Sequence, residues 1–166
     1  MTIAPIAAVT AVPNSLLATL GSPPGLLADI GGALTPIADN LQRQGWIVHM
    51  TSMDHEAIRS AARAGVRTAL RAHPQQTLLT SRHYDGVVLS IPDFVEAGPA
   101  VAEAARIARP GATVLVSVMS CGTADRLTGV LSECGMSQVV LHTADGASLA
   151  HTAPAGTPLV AVAKCG

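Results

Sequence analysis

One run dominates what this chain can become: residues 112–119, ATVLVSVM, apolar and β-branched throughout its middle and free of charge. A run of that length behind a turn signal, Arg109-Pro110-Gly111, reads as a strand buried on both faces. Such strands belong to parallel sheets with helices packed on either side. Its neighbours supply the pattern. Upstream, 86–90 is a second apolar strand, and 94–108 is helical with Val101, Ala105 and Ile107 or Ala108 inward. Downstream, 123–134 is an amphipathic helix closed by Gly135 in the position after its C-cap. Two last strands, 138–142 and 158–163, are separated by 15 residues without a helical period, so they pair antiparallel.

The first half alternates in the same way. A short helical stretch at 14–20 is bracketed by Pro13 and the glycine- and proline-rich turn at 21–25. A strand follows at 26–30, then a helical face at 35–43 stopped by Gly45, then the strand 46–50. Ile58, Ala62, Val66 and Leu70 lie four apart and predict one long helix over 54–72, with Arg59, Arg63, Arg67 and Arg71 on its solvated side. Residues 76–80 are then left to serve as a stunted third strand. The expected architecture is a doubly wound, mostly parallel α/β sheet with an antiparallel last strand. An N-terminal arm at 1–24 precedes a single domain at 25–166.

Composition removes several functions. Charged residues are 13% of the chain, with one lysine, Lys164, and no basic run, so phosphate neutralisation along a nucleic acid is excluded. Trp46, Tyr84 and Phe94 are the only aromatics, too few for a base-stacking platform. No window has the ~18 apolar residues of a membrane span. The apolar opening carries no Lys or Arg before Arg43, so it lacks the basic start of a signal peptide. Cys121, Cys134 and Cys165 are odd in number and lack metal spacing; they read as reduced thiols in a cytoplasmic protein with no metal site. A mean hydropathy of +0.41 predicts apolar surface covered by another chain, hence an oligomer.

The order of elements, with Tyr84-Asp85 opening one strand, Arg109-Pro110-Gly111 opening the next and a closing strand pair, resembles the class I S-adenosylmethionine-dependent methyltransferases over residues 26–165. The resemblance implies a cofactor loop at Asp29-Ile30-Gly31-Gly32-Ala33-Leu34-Thr35. There glycines let the backbone pass under the methionine end of S-adenosylmethionine. This chain keeps Asp29, Gly31 and Gly32 but has Ala33 and Thr35 at the next two motif glycines. Thr35-Pro36 also reads as a helix cap and first turn. The acidic residue expected after the second strand, where it takes both ribose hydroxyls, falls at Ser52. Asp54 is two residues on and doubles as a helix N-cap. No acidic candidate for the adenine amino group stands in the short stretch before the fourth strand.

Ser90-Ile91-Pro92-Asp93-Phe94 loosely resembles the turn with which amino-group methyltransferases of this fold grip the target nitrogen; it also reads as a plain turn and cap. Methyl transfer from a sulfonium needs placement more than acid–base help. The catalytic candidates are therefore weak: His55 and His83, expected near the carboxyl edge of the sheet where such sheets bind ligands, and Ser90. Cys121 sits at the same edge without triad partners.

Three readings follow from the resemblance and its departures. The one favoured is a non-catalytic or auxiliary subunit that supports an active, methyltransferase-like partner chain and holds the cofactor poorly or not at all. The second is an active small-molecule methyltransferase using S-adenosylmethionine held by Asp29, Gly31, Gly32, Ala33, Ser52, Asp54 and Ser90. The third is a pocket turned to cyclisation or isomerisation of a natural product.

Overall fold

The computed structural model describes residues 12–93, 97–120, 124–149 and 157–166. Seven strands form one sheet: β1 (Gly25–Ile30), β2 (Trp46–Ser52), β3 (Thr68–Arg71), β4 (Tyr84–Asp93), β5 (Ala108–Ser120), β6 (Met136–Thr143) and β7 (Leu159–Cys165). Their order is β3-β2-β1-β4-β5-β7-β6. β1 to β5 pair in parallel, and β7 runs antiparallel to both β5 and β6. This is the doubly wound sheet with a reversed last strand that the alternation predicts. Helices α1 (Asn14–Leu17), α2 (Ala38–Arg43) and α3 (His55–Arg63) precede β4; α4 (Ala97–Ile107) and α5 (Ala124–Glu133) follow it.

Two apolar layers sandwich the sheet. Val87, Leu89, Val114 and Val116 point to the face that carries Val101, Ile107, Leu127 and Leu131 from α4 and α5. Leu27, Val48, Val88 and Leu115 point to the other face, under Leu16, Leu20 and Leu41. Burial of these side chains follows the two-residue period of each strand.

Several expectations need correction. The helix predicted over 54–72 ends at Arg63, because Gly65 takes φ +85 and turns the chain out of the helix. Residues 68–71 are then extended, pairing His49 with Thr68 and Thr51 with Leu70. The third strand is therefore β3, and 76–80 is irregular, with one isolated bridge from His73 to Gln76. A strict spacing of four drifts around a 3.6-residue helix. Accordingly Ala61 is buried and the expected Ala62 is exposed. Arg59, Arg63, Arg67 and Arg71 are all exposed, as read from the sequence, but the last two flank or end a strand. Arg109-Pro110-Gly111 is no separate turn: it bulges within β5, between the pairs Tyr84–Ala108 and Gly86–Thr113, with Gly111 at φ +80. Ser90 to Asp93 is likewise no turn but the extended end of β4, in register with β5 as far as Asp93–Ser120. Phe94 and Cys121 lie outside the described residues.

Candidate functional site

Parallel α/β sheets take ligands at the carboxyl ends of their strands. Here that edge is formed by the ends of β1, β2 and β4, and the loop after β1 is its centre. The Asp29 side chain is buried, 1% exposed, and points back into this loop. Its Oδ1 accepts from the Gly32 amide at 3.1 Å and its Oδ2 from the Leu34 amide at 3.0 Å. Burial pushes the Asp29 carboxyl up to about 7, against the pull of the Leu34, Gly32 and Ala33 amides.

Both loop glycines adopt backbone angles that only glycine takes freely, φ +110 at Gly31 and +90 at Gly32. Gly31 donates to the Thr51 carbonyl at 2.8 Å. A Cβ on Gly31 would lie 2.8 Å from the Ser90 carbonyl oxygen, so the loop is pressed against β4. At Gly32 a Cβ would meet Ala57 and Thr35 at ordinary contact distance, 3.7 Å. Ala33 is buried in the apolar layer with Leu34 and Leu41. Thr35 begins a short 3-10 turn (Thr35–Ile37) but caps nothing. Its Oγ1 is one of three buried hydroxyls without a partner among the described residues; the others are Thr51 Oγ1 and Ser90 Oγ.

At the end of β2, Ser52 Oγ accepts from the Asp54 amide at 3.0 Å. Asp54 in turn caps α3, its Oδ1 accepting from the Glu56 amide at 2.9 Å. The cap role read for Asp54 is the one its side chain performs. Of the histidine candidates, His55 opens α3 at the carboxyl edge and is exposed. His83 is misplaced by the sequence reading. It immediately precedes Tyr84, the first residue of β4, and so lies at the amino edge, about 23 Å along the strand from Ser90 at ~3.3 Å per residue. There its ring packs edge-on against Tyr84, whose Oη is 2.8 Å from His49 Nδ1. Burial beside Tyr84 holds His49 below its ordinary value. The Tyr84-Asp85 and Arg109 signatures also serve the amino edge: Asp85 takes the Leu26 amide at 2.8 Å and the Arg109 guanidinium at 2.9 Å.

Sequence reasoning missed Thr51. The residue ends an apolar run as an isolated hydroxyl, WIVHMTS, a signal visible but unweighted. It also missed Glu103, which takes Thr77 and Arg106 inside the molecule. No cluster of three or more metal-ligating side chains occurs among the described residues, and no helix there is long and apolar enough to cross a membrane.

No protein-family model and no curated protein sequence matches the chain. Solved structures do. A TehB-like methyltransferase dependent on S-adenosylmethionine, from Corynebacterium glutamicum, superposes with TM-score 0.70 at 17% identity, over 92% of this chain and 86% of that one. The geranyl diphosphate C-methyltransferase of Streptomyces coelicolor, solved with S-adenosyl-L-homocysteine, gives 0.71 at 10% identity, over 92% and 74%. The [4+2]-cyclase SpnF gives 0.63 at 13% identity, over 80% and 59%. The fold is thus the Rossmann-like fold of class I methyltransferases.

That fold implies S-adenosylmethionine, and the residues present meet its two ends differently. The glycine pair and its anchor Asp29 retain the bend that a methionine end lies on. At the nucleoside end, a serine whose oxygen already holds an amide replaces the ribose-binding acid, and the next acid is engaged in a helix cap. The misfit therefore lies at the nucleoside end, where no free carboxylate replaces the ribose-binding acid at Ser52.

Proposed function

We propose that this chain is an auxiliary, non-catalytic subunit that supports an active methyltransferase-like partner. The observation that carries this reading is the closure of the loop on itself. Both Asp29 oxygens accept from their own loop, and Ser52 and Asp54 are bonded to the start of α3. Asp29 and Ser52, so engaged, offer little to two ribose hydroxyls, and a buried group stripped of its partners costs about 1–3 kcal/mol.

Titration calorimetry of the purified chain with S-adenosylmethionine and S-adenosylhomocysteine tests it. The expected result is no heat of binding at about millimolar ligand, together with faster methyl transfer when the chain is added to a co-purifying methyltransferase-fold subunit. Micromolar binding to the chain alone overturns it.

One observation favours a second reading, an active small-molecule methyltransferase. The unpartnered hydroxyls of Thr35, Thr51 and Ser90 surround Gly31 and Gly32, and buried hydroxyls without partners are uncommon away from ligand sites. On that reading Asp29, Gly31, Gly32, Ser52, Asp54 and Ser90 hold S-adenosylmethionine, and the same calorimetry returns micromolar affinity.

A further inference from the structure

The sheet ends at β6, whose outer side no strand covers among the described residues. A short piece of the chain uses part of that side. Thr143 donates to the Ala147 carbonyl and Leu149 to the Leu141 carbonyl, each at 2.9 Å, and His142 lies opposite Ser148 in an antiparallel bridge. The outer side of β6 therefore accepts an extended segment. A strand residue aims its N–H and C=O to the same side, so the Leu141 amide faces outward with its carbonyl. Toward the start of β6, Gln138 at φ +52 breaks the register with β7 and shortens the open edge to 139–141. Edge strands are commonly blunted by lysine or proline, and residues 136–141 hold neither.

Beside this edge runs a groove of about 290 Å3, lined by Ala124, Asp125 and Thr128 from α5, by residues 139–141 from β6, and by Leu149. Side chains alternate along a strand, so three consecutive residues line one groove only where the main chain forms part of its wall. Val139, Leu141 and Leu149 also pack against the core layer of α4 and α5 and give the groove its apolar side. The Thr128 hydroxyl is engaged, donating to the Ala124 carbonyl at 3.1 Å. Asp125 is exposed and forms no ion pair among the described residues. From residue 124 to residue 149 the chain holds three acids and one arginine, so the charge around the groove is negative.

We propose that the groove between β6 and α5 is the docking site for an extended, basic segment of a partner protein. The segment adds beside β6 at 139–141, places an aliphatic side chain in the groove, and brings a Lys or Arg on the same face to Asp125. A second copy of this chain pairing edge to edge would offer the uncharged residues 137–141 and leave Asp125 unanswered. A nucleic acid would meet a carboxylate where it needs cations. The docking goes beyond the auxiliary reading and stands apart from the glycine loop. In the sheet order β6 is four strands from β1, about 19 Å at ~4.8 Å per strand. Loss of docking and binding of S-adenosylmethionine therefore register separately.

The probe is a synthetic, end-blocked peptide of about seven residues, alternating valine with threonine and carrying one lysine on the valine face. One control has glutamate for the lysine; the other keeps every side chain but is N-methylated at alternate main-chain amides. Binding to the full chain is followed by anisotropy and by amide NMR. The expected result is saturable binding of the lysine peptide, about threefold tighter than the glutamate control and weakening with salt. N-methylation should lower the affinity about tenfold, because it removes the main-chain bonds to β6. Shifts should concentrate at residues 139–141 and at Thr128. Asp125→Asn, monitored for an unchanged melting temperature, should bring the ratio of lysine to glutamate affinity close to one. Equal affinity of the wild type for both peptides, undiminished binding after N-methylation, no saturable binding, or shifts elsewhere overturns the proposal. So does a concentration-dependent dimer that shifts the same amides, or displacement of the peptide by single-stranded RNA. A gain of about tenfold when residues 150–156 are replaced by a glycine-serine linker would assign the groove to that segment and equally overturn the partner.

Discussion

Two carboxylates are buried among the described residues, one in each half, and their surroundings differ. Glu103, in α4, is gripped by the Arg106 guanidinium through Nε at 2.7 Å and Nη2 at 2.6 Å, and by the Thr77 amide and hydroxyl. Those bonds hold its carboxyl down at about 2. Asp29, at the end of β1, has backbone amides but no cation among its bonds, and burial raises it to about 7. The halves around them differ likewise. β4, β5 and β7 are packed on both faces, whereas β2 and β3 expose Ile47 and Leu70 on one. The carboxyl-terminal half is built as a scaffold; the amino-terminal half keeps a tightly bent glycine loop and leaves hydroxyls and aliphatic side chains unpartnered.

The sharpest way to break this contrast is to titrate it. Asp29 rises on folding from 3.8 to about 7, so the stability it contributes is full below 3.8 and is lost as the pH climbs through 7. Glu103 falls from 4.5 to about 2, so its contribution is present above 4.5 and is lost as the pH drops toward 2. His49, held below 6.5, also loses stability on acidification. Subtracting the urea-unfolding profile of Asp29→Asn from that of the wild type isolates Asp29. The expected difference falls by about 3 kcal/mol between about pH 4 and 7. A flat difference would mean that the loop amides keep Asp29 ionised throughout, and the halves would then resemble each other.

Core truncation gives an effect of similar size. Leu127 is fully buried beneath α5, so Leu127→Ala should cost about 3 kcal/mol in urea unfolding. Ile47→Ser, on the bare face, should cost less than about 0.5 kcal/mol. Equal losses would show that the β2 face is packed in the free chain.

The glycines sharpen the same point. Gly31→Ala places a methyl 2.8 Å from the Ser90 carbonyl at φ +110 and should cost about 2 kcal/mol or more. Gly129 lies within α5 with nothing near its would-be Cβ, so Gly129→Ala should stabilise by about 1 kcal/mol. Thermal unfolding of the pair reads both signs.

Those positions also explain what the sequence disclosed. ATVLVSVM and the strands beside it were legible because burial on both faces leaves a continuous apolar run, and Gly135 marked the end of α5. Residues 54–72 were not, because four-residue spacing fits a helix until Gly65, a single backbone reversal, hands Leu70 to a strand. The glycine loop was visible as a loop, yet nothing local says that Asp29 turns inward onto Leu34. His83 was assigned to the wrong edge even though it precedes β4 whether the strand begins at Tyr84 or at Gly86, and a residue before a strand lies at its amino edge. Glu103 looked like one more charge on an alanine-rich helix; only its long-range bond to Thr77, set by the path of the crossover from β3 to β4, makes it structural.

That bond gives the smallest and most local prediction. Glu103→Gln keeps the side chain's shape but removes the charge that Arg106 and Thr77 address together, and the amide nitrogen must face a donor. Arg106 is 40% exposed and can turn to water, so the loss should be about 2 kcal/mol rather than the larger cost of stranding a wholly buried ion. The loss should also be local, because Thr77 and Leu79 are the points at which the crossover is tied to α4. Amide exchange in residues 72–83 should accelerate about tenfold or more, while amides of β5 and β7 that open by local fluctuation hold their rates. Exchange rising equally in β5 would mean that the crossover is part of the carboxyl-terminal scaffold, and the boundary between the two halves would move to β3.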